Sequence, residues 1–95
     1  MKIVKDFIFR EIAGEQILVP TGETSQEFNG MITMTETAGF IWNHLEEAKS
    51  LEELVQMLTE TYDVSEETAR RDTIGLINEL MRRGIVECTK DDRTW

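Results

Sequence analysis

Few side chains in this sequence could do covalent or metal chemistry. There is one histidine, His44, and one cysteine, Cys88. Neither falls at a spacing that pairs a nucleophile with a base or gathers ligands into a thiolate or imidazole metal cage. His44 falls on the polar side of a helical stretch and reads as a surface residue. Cys88 reads as a small strand hydrophobe, with no helix N-terminus or histidine assigned beside it to activate its thiol. No catalytic residue, metal or cofactor is therefore expected, and the chain is read as a non-enzyme. The chemistry left to it is that of a surface that binds.

The richest candidate for such a surface lies between residues 66 and 83. Ala69, Thr73, Leu76, Ile77 and Leu80 recur at helical spacing as one core-facing stripe. With Ala69 taken as 0°, Ile74 and Met81 project to about 140° and 120°, so the apolar arc spans roughly 160°. A surface helix of a small domain needs only about 100°. Arg70 and Asn78 border the additional stripe at about 100° and 180° and set donors along an apolar groove, the makeup of a peptide-docking surface. A helix packed on two neighbours at once produces the same arc. Arg70 and Arg71 can likewise pair with Glu66 and Glu67, and Arg83 with Glu79, as solvated ion pairs.

The elements that must hold this helix can be read in order. Asp6 to Ile12 is rich in aromatic and β-branched residues and reads as a strand. It stops at a turn over residues 13–16 that carries Gly14, and Ile17-Leu18-Val19 returns as the second arm of a hairpin. Pro20 ends that arm, because it cannot donate to a ladder, and Thr21 to Glu27 reads as a polar loop. Asn29-Gly30 is a turn pair, and Met31-Ile32-Thr33-Met34 follows as a third strand. From Thr35, an N-cap, the apolar period becomes 3.6, with Ala38, Ile41, Trp42 and Leu45 on one stripe. Ser50-Leu51-Glu52-Glu53 fits a capping box, and Leu51, Leu54, Val55, Leu58 and Tyr62 continue as a second stripe; Met57 falls off it and is expected to be exposed. Ser65 caps the third helix and Gly84 stops it. Ile85 to Cys88 returns as a brief extended segment. Gly75, inside the third helix, calls for close approach by a neighbour.

These parts predict an α+β domain, winged helix-turn-helix-like, with a three-stranded antiparallel sheet followed by three helices. Its 95 residues allow one domain over 1–95, with a core from about 6 to 88 and a tail at 89–95 expected to fray. Hydrophobic residues at 40% are enough for a packed core. Ten basic against nineteen acidic residues give a net charge of −9, which disfavours a phosphate-neutralising surface, so no nucleic acid partner is expected. No apolar run is long enough to span a bilayer, and no signal-type segment opens the chain. With a single cysteine, this suggests a cytoplasmic protein that meets no membrane.

Several segments in this order resemble the PqqD family, the peptide-binding domain known as the RiPP recognition element. They are Phe9 to Glu15 followed by Leu18-Val19-Pro20, Asn29 to Met34, Thr35 to Trp42, Tyr62 to Ala69, and Arg83-Gly84-Ile85-Val86. Together they extend from residue 7 to residue 88. The resemblance implies a chaperone-like adaptor that holds the leader of a ribosomally made precursor peptide and presents it to a modifying enzyme. In pyrroloquinoline quinone biosynthesis that enzyme is a radical SAM protein. It also implies that the leader binds as an added strand beside the third strand, in a cleft closed by the third helix. The peptide-binding residues are then Met31, Ile32, Thr33, Met34, Arg70, Ile74, Ile77, Asn78 and Met81. Two other readings stay open: a winged-helix DNA-binding protein, and another interaction adaptor, including a homodimer formed through the exposed sheet edge.

Overall fold

The computed structural model describes residues 1–28 and 30–88. Along the chain these form β1 (Lys2–Ile3), β2 (Phe7–Ile12), β3 (Glu15–Pro20), α1 (Thr24–Glu27), β4 (Ile32–Met34), α2 (Glu36–His44), α3 (Leu51–Thr61), α4 (Glu66–Arg82) and β5 (Val86–Glu87). The expected α+β fold is present, with β2, β3 and β4 as an antiparallel sheet in that order and the three longer helices after it. The tail at 89–95 and Asn29 lie outside the described residues.

β2 and β3 join through a two-residue loop, Ala13-Gly14, with φ of 53° and 83°. Positive φ at both positions matches the turn to the twist of the strands it connects. Phe9, Leu18 and Ile32 are cross-strand partners and so share one face of the sheet, the face that packs on the helices. Phe7, on the same face, meets Trp42 of α2 edge-on at 6.0 Å and Phe28 at 5.4 Å. α2 comes close to the hairpin at Gly39, where a Cβ would lie 3.0 Å from the Phe9 ring. Leu18, Ile41, Leu45, Leu54, Leu58 and Ile85 are sealed in the core between the layers.

Each long helix begins where the sequence marks it. The hydroxyls of Thr35, Ser50 and Ser65 accept backbone N–H bonds from Ala38, Glu53 and Thr68, at 3.1 Å in each case. The capping box at Ser50 is half made, because Glu53 Oε2 accepts from the Lys49 N–H rather than from that of Ser50. α4 ends in a Schellman arrangement about Gly84, whose φ is 71°. The Gly84 and Ile85 N–H groups donate to the Met81 and Leu80 carbonyls at 3.0 and 2.9 Å.

Several local expectations are corrected. Residues 24–27 of the expected polar loop make one helical turn, held because the buried Thr24 hydroxyl accepts the Asp6 N–H at 3.0 Å. β5 pairs with β1, an element not anticipated, and Met1 is only 7% exposed, so the core reaches beyond residue 6. Met57 is half-buried against the core rather than exposed. Cys88 is exposed and follows β5 instead of packing within it. No atom approaches within 4 Å of where a Gly75 Cβ would stand, so no neighbour requires that glycine.

Candidate functional site

β4 is an edge. It pairs with β3 on one side, and among the described residues no strand pairs with its other side. A strand so placed presents unpaired N–H and C=O groups in a row. Its side chains alternate: Ile32 and Met34 turn toward the helices, while Thr33 and Met31, the latter 62% exposed, turn away.

Beside this edge lies a groove of about 300 Å³. Ile32 and Met34 form its strand wall, Ala38 of α2 its end, Leu76 of α4 its helix wall and Leu80 its floor. Glu79 and Arg83 stand at the rim and pair with each other at 2.8 Å. Glu79 also accepts two bonds from Arg82, at 2.5 and 3.1 Å. Arg82 first and Arg83 second hold the Glu79 carboxyl below the usual carboxylate range. The rim is thus ionic and internally balanced, and the floor is apolar. An extended chain could add to β4 through its backbone and lodge every second side chain in the groove.

The structure divides the expected site residues. Ile32, Thr33 and Met34 lie on the groove and Met31 just before β4. Ile74, Ile77 and Asn78 border a separate depression of about 40 Å³ with Leu51 of α3. Ile77 is 6% exposed and belongs to the core, whereas Ile74 and Met81 are 39% and 42% exposed. Arg70 is not a spare donor: its guanidinium bonds both Glu52 oxygens, one at 2.7 Å, and Glu66 at 2.9 Å. The α4 residues brought to β4 are therefore Leu76, Glu79, Leu80 and Arg83, which the helical periodicity assigned to the core stripe and its ion pairs. Their sector is about 280° to 20°, on the opposite flank of the stripe from Ile74 and Met81. Leu80, 2% exposed, is core and only floors the groove, so the signal for a wall was Leu76, and periodicity alone does not tell a wall from a core.

Among the described residues no group of three or more histidine, cysteine or acidic side chains could hold a metal ion, and no helix is long and apolar enough to cross a membrane.

An α+β domain with an open strand edge running beside an apolar helix wall belongs to the folds that can take an extended segment into their sheet. The family model described as Coenzyme PQQ synthesis protein D (PqqD) matches residues 15–86, and the chain belongs to that family. A solved structure described as TbiB1 in complex with the TbiA(beta) leader peptide is similar over 94% of this chain and 98% of that one, with 25% identity and a TM-score of 0.68. No curated protein matches the chain.

Proposed function

We propose that this domain is a RiPP recognition element: it holds the leader of a ribosomally made precursor peptide as a strand added to β4 and presents it to a modifying enzyme, making and breaking no bonds itself. The observation that carries this reading is the unpaired edge of β4 beside the groove closed by Leu76 and Leu80. Membership of the PqqD family supports it, as does likeness to a domain solved with a leader peptide. Backbone pairing supplies affinity without regard to sequence, and the groove selects alternate side chains. By family resemblance the enzyme served is a radical SAM protein, as in the pyrroloquinoline quinone pathway of the family's namesake. The DNA-binding alternative is weakened because Arg70, Arg82 and Arg83 are committed to carboxylates.

The test uses a peptide selected on the intact chain from a displayed pool of random 12-residue sequences. Its binding is expected to slow amide exchange within Ile32–Met34. Leu76→Asp, on the groove wall, is expected to weaken binding by about tenfold or more, since a charge in the apolar groove costs more than the roughly 1.4 kcal/mol of one decade. Ile74→Asp, on the other flank of α4, is expected to change affinity by less than about twofold, the range of an exposed substitution away from a contact. The reverse order of effects would move the site to the α3 side of the helix, where Arg70, Asn78 and Met81 also lie.

A further inference from the structure

We infer that the bound chain does not end its contact at β4 but runs on into a second pocket, opened where Gly75 leaves α4 bare, and that this pocket selects one large side chain, apolar along its body and polar at its tip. The inference rests on the peptide-binding reading above.

The pocket measures about 390 Å³ and lies between the start of α2 and the middle of α4. It shares Thr35, Ala38 and Leu76 with the groove beside β4, so the two adjoin. Thr35 directly follows β4, which places the second pocket on the line of the strand. Gly75 is exposed, sits well inside the 17-residue α4, and has no positive φ. A Cβ there would touch nothing within 4 Å, so neither backbone conformation nor internal packing asks for glycine. Glycine destabilises a helix interior relative to alanine. What the missing side chain leaves is room outside the fold.

The spacing fits an extended chain. Positions four apart on a helix are separated by about 6 Å along its axis, and same-face positions two apart on a strand by about 6.8 Å. Alternate side chains of a strand laid beside β4 therefore meet successive turns of α4. One lodges over the turn from Leu80 to Leu76. The next on that side, two residues along, lodges over the following turn, from Leu76 to Asp72, where Gly75 leaves the helix surface bare.

The lining sets the chemistry of that second side chain. Ala38, Ile41 and Leu76 offer an apolar floor, and Thr35, Thr37, Arg71 and Asp72 a polar rim. Arg71 is the least committed arginine of α4: its contact with Asp72 is 3.7 Å long and its side chain is 74% exposed. Arg70 and Arg82, and Arg83 at the C-cap, are held by closer carboxylate bonds.

Selection from a phage-displayed pool of random 12-residue peptides on the intact wild-type chain and on Gly75→Leu tests this. Wild-type binders are expected to carry an apolar residue and, two positions away, a large one. Binders of Gly75→Leu are expected to keep the first and replace the second by Gly, Ala or Ser, and a wild-type binder should lose about tenfold in affinity for the variant. Leucine is the better helix former, so the variant should melt no lower than wild type, and weaker binding would not report unfolding. The same preference in both pools, or equal affinity of a wild-type binder for both proteins, overturns the second pocket while leaving the β4 site intact. A pool that yields no binder on either protein overturns the peptide reading and this inference together.

Discussion

Thr73 is fully buried on α4, and its hydroxyl has no hydrogen-bond partner among the described residues. A buried, unsatisfied polar group costs about 1–3 kcal/mol, and valine has nearly the same shape without the polar atom. Thr73→Val is expected to stabilise the domain by about 1 kcal/mol, read as a higher denaturant midpoint at unchanged slope. A lower midpoint would mean that the hydroxyl is satisfied. Burial at residue 73 follows from its place on the apolar stripe, but hydrogen-bond satisfaction depends on neighbours from other elements. The same limit applies at Leu76. Its angle on the helix is readable from sequence, whereas what lies opposite it is not, and that decides whether it is core or groove wall.

The helix starts were legible because the chemistry that makes them is local: Thr35, Ser50 and Ser65 each bond a backbone N–H three residues ahead. The hairpin was legible for the same reason, although its loop is shorter than the composition of residues 13–16 suggested. The pairing of β1 with β5 left no such trace, being two residues against two from opposite ends of the chain. At the hairpin, Ala13 takes a left-handed conformation, φ 53°, where an L side chain is disfavoured. Asparagine tolerates that region and is preferred at the first position of such a turn. Ala13→Asn is expected to raise stability by about 0.5–1 kcal/mol in thermal or denaturant unfolding. No gain would place the strain elsewhere.

Across the molecule, the net charge of −9 sets carboxylates against one another, and the arginines of α4 offset part of that repulsion. Arg70 ties α4 to α3 by its bonds to Glu52, and these bonds hold the Glu52 carboxyl below its usual 4.5. Glu79 is lowered in the same way by Arg82 and Arg83. Both folded values lie below the unfolded ones, so the stability they confer is complete above about pH 4.5 and is lost as the pH falls through the lowered values. Unfolding midpoints measured from pH 6 to pH 3 should fall, and Glu52→Gln should flatten part of that fall. These groups are exposed or half-exposed and so screened, and added salt should shrink the effect as well.

The little clasp of Lys2–Ile3 against Val86–Glu87 has a use for the engineer. Because the two lie in register, the domain enters and leaves the rest of any polypeptide at one spot, so it can be grafted into a surface loop of a host enzyme through two adjacent junctions. Cut back to residues 1–88, joined across that clasp by a short bridge and reopened at residues 13 and 14, it should keep its architecture as a circular permutant.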